Sequence, residues 1–152
     1  MRHRISAAGI VLRGDALLLV HHHQAGRYDF WLPPGGGLEG GEDLFGGAER
    51  EVHEETGLVV RAERLLYLQE VLEPDLHICK GFVLCREVGG QLSLDHRVDG
   101  ERERLMNARF LTEGELTEVN VRPDVFRDLF WRDWEAGFPT FRYLGLHHAT
   151  DV

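Results

Sequence analysis

The stretch from Gly36 to Leu58, GGLEGGEDLFGGAEREVHEETGL, constrains this 152-residue chain more than any other. A glycine-rich opening leads into a run that predicts a helix from about Asp43 to Thr56. Gly57 stands just past the last turn, where a residue of positive φ closes a helix. Glu51, Glu54 and Glu55 lie near its end, and spacings of three and four residues put them on one face, a turn apart. Unpaired, they repel by a few tenths of a kcal/mol per pair. Gly46 and Gly47 each cost about 1 kcal/mol more in a helix interior. A helix carrying such costs either gathers a cation or presents a solvated acidic face, and the three glutamates alone leave both readings open. Closely spaced carboxylates suit a hard divalent ion, Mg²⁺ first, with Mn²⁺ able to substitute.

The wider spacing sharpens this. Gly36 is followed after five residues by Glu42 and after seven more by Arg50-Glu51-Val52, then by Glu54-Glu55 and Gly57-Leu58, each after one residue. Every fixed position of the Nudix hydrolase signature is filled, and the chain resembles that family. Trp31 and Pro34-Gly35-Gly36 look like its usual lead-in. The resemblance implies an α/β/α sandwich with a mixed β-sheet and a Mg²⁺-dependent enzyme. Such an enzyme cleaves a diphosphate joining a nucleoside-type group to another moiety. It further implies Gly36, Glu51, Glu54 and Glu55 as metal ligands, with Glu54 and Glu51 catalytic. Arg50 orients these glutamates, and Glu42 pairs with Arg50 or supports the metal shell.

The chain's bounds fit a single domain over 1–152, long enough to bury roughly two-thirds of its unfolded surface. No apolar run reaches the ~20 residues of a membrane span, and no signal-peptide core opens the sequence. Both favour the cytoplasm. Cys79 and Cys85 fall in one predicted strand, with reduced thiols as the default. A net charge of −9 argues against a long nucleic acid as partner and sits oddly with the small anionic diphosphate compound that the resemblance implies. It requires the metal and nearby arginines to neutralise the site locally. A homodimer is compatible with the sequence.

Residues 4–12 and 16–20 read as strands joined at Gly14-Asp15. His21-His22-His23 sit at a strand end, where neighbours point to alternate faces and cannot all ligate one ion. A loop at 24–29 offers Arg27 and Tyr28 to a substrate. Phe30-Trp31-Leu32 forms a short strand with Trp31 in the core. Gly35 and Gly37 let backbone groups approach phosphate where a β-carbon would obstruct. Phe45, Ala48 and Val52 form the expected buried stripe, opposite partly exposed glutamates. Residues 58–72 give one or two strands, and 76–88 give another, with Ile78, Phe82 and Leu84 on one face. Gly89-Gly90 marks a turn, 95–106 a polar loop and 107–111 a strand. Thr112 with Glu115 predicts a capping box. Pro123 and Gly137 bound a final amphipathic helix, with 138–152 a strand or tail.

The chemistry then needs neutralised phosphate oxygens and a deprotonated water, which metal ions and a general base supply. The resemblance implies as base either a box glutamate or a carboxylate of a later loop, and the polar loop offers Glu101 and Glu103, with Glu103 preferred. For the substrate, the tyrosine marking dinucleoside polyphosphate hydrolases is absent, while Pro74 stands where ADP-ribose hydrolases carry a proline. The short length leans towards (deoxy)nucleoside triphosphates, with ADP-ribose or another nucleotide sugar next. A nucleotide sensor without catalysis is the reading from another class.

Overall fold

The computed structural model describes residues 1–97 and 105–149. Strands β1 (Arg2–Arg13) and β2 (Ala16–Gln24) meet at Gly14, whose φ of 60° lies in the left-handed region that glycine adopts without strain. They pair beside this turn, Leu12 with Leu17 and Arg13 with Ala16. Further along, each takes other neighbours. β2 pairs with β3 (Tyr28–Leu32) and β7 (Leu105–Thr112), while β1 pairs with β4 (Gly35–Gly37) and β6 (Leu76–Gly90). β5 (Leu58–Glu73) lies antiparallel to β6, and β8 (Arg142–His148) closes the order β3-β2-β1-β6-β5-β8. The β1–β6 and β5–β8 pairings are parallel, so the sheet is mixed.

Helix α1 (Leu44–Thr56) begins where Asp43 accepts the Gly46 N–H at 2.7 Å and ends at Gly57, φ 80°. Ala48 and Val52 pack onto Ala7, Val11, Leu18 and Val83 of the sheet. The other face carries Ala8, Leu17, Leu19, Tyr67 and Phe82. These meet Phe126 of a 3₁₀ turn (Asp124–Phe126) and Phe130 and Trp131 of a short helix. Helices cover both faces, which is the expected α/β/α sandwich. Trp31 is 7% exposed in this second cluster, in agreement with its core reading. The Thr112–Glu115 capping box opens helix α2 (Glu113–Leu116), again as read.

Four expectations are corrected. The segment between Pro123 and Gly137 is not one helix: the 3₁₀ turn ends, and Asp128 caps a fresh start for α3 (Leu129–Glu135) by accepting the Leu129 N–H. Gly89 and Gly90 lie within β6 opposite Val59 and Leu58, because a Cβ on Gly90 would fall 2.4 Å from the Gly57 carbonyl oxygen. Phe45 is 38% exposed, and Leu44 packs against the α1 cluster instead. Most consequentially, Glu51 and Glu55 are 7% and 1% exposed, so the carboxylate face borders the core rather than opposing it. Among the described residues, no helix is long and apolar enough to cross a membrane.

Candidate active site

The glycine strand β4 is laid between β1 and α1, with Ala7 opposite Gly36 and Ser6 opposite Gly37. Each glycine makes room for a particular group. A Cβ on Gly36 would stand 2.6 Å from Glu51 Oε1, and one on Gly37 would stand 2.5 Å from Arg4 Nε. The Gly35 N–H donates to Glu55 Oε1 at 2.7 Å. A side chain at Gly36 would push the Glu51 carboxylate away from this strand.

Arg50 ties the acidic cluster together. Its Nη1 donates to Glu51 Oε1 at 3.0 Å and to Glu54 Oε2 at 3.1 Å. Its Nη2 donates to Glu42 Oε1 at 2.6 Å and to the Gly37 carbonyl at 3.1 Å. One planar fork thus links helix, loop and glycine strand, a geometry that lysine cannot reproduce. The Arg50 hydrogen bonds hold the Glu42 carboxyl below its ordinary range, against burial, with help from the Glu39 N–H. The carboxylates in turn hold the Arg50 guanidinium protonated far above its ordinary value. The Glu–Glu repulsion read from the sequence is therefore offset by a cation already in place.

Glu51 and Glu54 meet at one arginine nitrogen, and Glu51 rests on the bare Cα of Gly36. Two carboxylates brought so close are a donor set that suits a hard divalent cation. Glu55 is set deeper, beneath Gly35. Among the described residues, no three acidic, histidine or cysteine side chains converge closely enough to cage an ion as they stand. Of the box glutamates, Glu51 and Glu54 are thus the two drawn to a common point, with Glu55 apart from them under Gly35.

Beside this cluster opens a cavity of about 270 Å³, reached at Gly36. Its floor is built by cross-strand register. Ser6, Lys80 and Gln69 stand side by side on β1, β6 and β5, and Arg4, Ile78 and Val71 form the next row. Phe30, Leu32, Arg122 and Pro123 complete the wall. Residues 120–122 are pinned along β3, with the Trp31 N–H donating to the Asn120 carbonyl and the Arg122 N–H to the Trp31 carbonyl, both at 2.8 Å. This sets the Arg122 guanidinium 4.5 Å from the Phe30 ring centre. Burial lowers the Lys80 ammonium's pKa and Arg4 lowers it further, while Glu55 and Glu51 act in the opposite direction.

Of the residues proposed from sequence, Arg50, Glu51, Glu54, Glu55, Gly35, Gly36 and Gly37 come together. Tyr28 lies at the edge of the site, its ring 5.5 Å from Phe30, whereas Arg27 is exposed in the β2–β3 turn and absent from the cavity wall. Glu101 and Glu103 lie outside the described residues. The histidines alternate: His21 stacks on Trp31 at 4.5 Å and His22 on Phe30 at 5.5 Å. Arg4, Gln69, Lys80 and Arg122 were missed. One signal was present: Lys80 shares strand parity with Ile78 and Phe82, an ammonium on the face that reads as buried.

The NUDIX domain profile matches residues 2–131. The mouse (Mus musculus) diphosphoinositol polyphosphate phosphohydrolase 3-alpha is 42% identical over 73 residues, which cover 47% of this chain and 43% of the mouse protein. The matched stretch therefore spans less than half of that relative's length. A NUDIX hydrolase from Nitrosomonas europaea superposes with a TM-score of 0.71 at 22% identity, covering 93% of each chain. An ADP-ribose pyrophosphatase from Streptococcus suis does so at 0.65 and 20%, covering 95% of this chain and 98% of that one. At these identities the two structures show the shared fold alone. With the profile matched over residues 2–131, the chain belongs to the NUDIX domain family.

Proposed function

We propose that the protein is a divalent-metal-dependent pyrophosphohydrolase acting on a small nucleoside diphosphate derivative, with a (deoxy)nucleoside triphosphate as its preferred substrate. The observation carrying this reading is the Glu51–Arg50–Glu54 junction, placed at Gly36 on the rim of the cavity. Glu51 and Glu54 hold Mg²⁺, or Mn²⁺ in its place, with Glu55 and the Gly36 carbonyl as further ligands. The ion supplies charge neutralisation at the phosphates and a more acidic bound water. Arg50 keeps the two carboxylates aimed at one point and stays protonated throughout. Lys80 and Arg4 draw the substrate's phosphates towards the box, offsetting the repulsion of a chain whose net charge is −9. Glu103, or failing it Glu101, accepts the proton of the attacking water.

A second substrate, ADP-ribose or another nucleotide sugar, is favoured by the Phe30 ring on the wall of the same cavity. The mouse relative is named for diphosphoinositol polyphosphates and the streptococcal neighbour for ADP-ribose. Both compound types therefore belong beside nucleoside triphosphates in a turnover panel with Mg²⁺ or Mn²⁺. The expected result is metal-dependent release of a mononucleotide, fastest from triphosphates. Tight binding without turnover of any compound would replace this reading with a nucleotide sensor.

A further inference from the structure

We propose that the cavity beside the box is a subsite for an additional phosphate, one outside the cleaved linkage, bound by Lys80, Arg4 and Arg122, and that it selects triphosphates over nucleotide sugars. The inference rests on the hydrolase reading only for its kinetic part.

Position as well as charge marks these side chains out: Arg27, Arg61, Arg64 and Arg132 also make no ion pair among the described residues, but they do not line the cavity. Arg2, Arg13, Arg50, Arg86, Arg109, Arg127 and Arg142 each reach a carboxylate within 3.9 Å. Among the described residues, Arg4, Lys80 and Arg122 make no such pair, although they line one cavity in a strongly acidic chain. Lys80 lies in the field of Glu55 and Glu51, and Arg122 rests on an aromatic face rather than an anion. Gathering three cations in one pocket, with only the field of the box glutamates at Lys80 to offset them, costs free energy that an anionic ligand returns.

The floor adds a second observation. Ser6 and Gln69 flank Lys80 in register and are only 5% and 4% exposed. Neither side chain bonds to protein among the described residues, and both face the cavity. Their polar atoms open onto the cavity, where a ligand's oxygens can reach them. A hydroxyl and an amide beside an ammonium can donate to several oxygens of one phosphate. Leu32, Val71, Ile78 and Pro123 keep the surroundings apolar, which strengthens each charge-assisted hydrogen bond. Arg4 lies across Gly37 and Lys80 beside the box glutamates, so this phosphate adjoins the reacting pair. A nucleotide sugar, whose only phosphates are those of the cleaved linkage, leaves the cations unmatched.

Two measurements test this. In metal-free buffer, where turnover is abolished, inorganic tripolyphosphate is titrated against the intact protein by calorimetry, with adenosine as a neutral comparison. Arg122→Gln, Arg4→Gln and Lys80→Gln should each weaken tripolyphosphate binding by about 10- to 100-fold. Arg86→Gln, which removes an exposed charge elsewhere on β6, should change it less than twofold. Thermal melts establish that each variant is folded, and the two rim arginines keep the test valid if Lys80→Gln is not. The kinetic arm compares kcat/KM for ATP and ADP-ribose: the pocket variants should lose about tenfold more on ATP than on ADP-ribose. Unchanged tripolyphosphate binding in the folded pocket variants, an equal loss in Arg86→Gln, or adenosine binding as tightly as tripolyphosphate would each overturn the subsite. Absence of turnover with binding behaving as stated would overturn only the hydrolase reading.

Discussion

Replacing Arg50 with methionine, a side chain of similar reach and no charge, isolates what holds the acidic cluster together. The guanidinium bonds to Glu42, Glu51 and Glu54. Removing one partner of a buried ion pair costs about 3–5 kcal/mol, because the remaining charges lose compensation. Here the lower end applies: the side chains of Glu42 and Glu54 remain 19% and 23% exposed, so solvent screens part of the loss. For a chain of this size, about 3 kcal/mol lowers Tm by roughly 6–12 °C. The assay is calorimetric melting in metal-free buffer at pH 7, then again with Mg²⁺. Mg²⁺ should raise the variant's Tm more than the parent's, since bound cation stabilises the native state by mass action. Arg50→Lys should recover only part of the loss, because an ammonium cannot bridge the carboxylates as the fork does.

The pH dependence supplies an independent sign. The folded Glu42 pKa lies below its ordinary value of 4.5, so its contribution is present in full above pH 4.5 and fades as pH falls through the lowered folded value. Arg50 does not titrate in this range. The stability gap between parent and Arg50→Met must therefore narrow on acidification below pH 4.5. A Tm loss under about 2 °C at pH 7, or a gap that widens in acid, would refute the reasoning.

Gly36→Ala should leave the fold in place but displace the Glu51 carboxylate from a Cβ 2.6 Å away; circular dichroism should look native while turnover collapses. Glu54→Gln removes a proposed metal ligand and should lower kcat about 100-fold or more, with weaker metal affinity by titration. Its metal-free stability should fall by no more than about 1.5 kcal/mol, since Arg50 keeps its bonds to Glu42 and Glu51. Tyr67→Phe deletes a buried hydroxyl that donates to Asp133 Oδ2 at 2.7 Å, between β5 and α3, far from the box. It should cost about 1.5–3 kcal/mol in a denaturant titration with turnover per folded molecule unchanged.

What could be read from the sequence was what local rules decide. Asp43 and Gly57 bracket α1 because capping depends on adjacent backbone groups, and both caps are present. Strand parity separated the three histidines, and Trp31 lies in the core as its short apolar strand suggested. Local pattern failed where the outcome depends on what lies across the element. Helical spacing marks Phe45 as inward and Glu55 as outward, yet Phe45 is 38% and Glu55 1% exposed. The reason is β4: a glycine strand thin enough to lie over α1, whose Gly35 N–H gives the buried carboxylate a partner. Likewise, Phe126, Phe130 and Trp134 repeat at four-residue spacing, but Asp128 accepts the Leu129 N–H and restarts the helix between them. The cavity was hidden for the same reason in stronger form. Ser6, Gln69 and Lys80 are far apart along the chain and become neighbours only when a parallel and an antiparallel pairing fix their register. A one-residue slip in either pairing would turn its strand's side chains to the opposite face, so the cavity, and with it the proposed phosphate subsite, depends on sheet register.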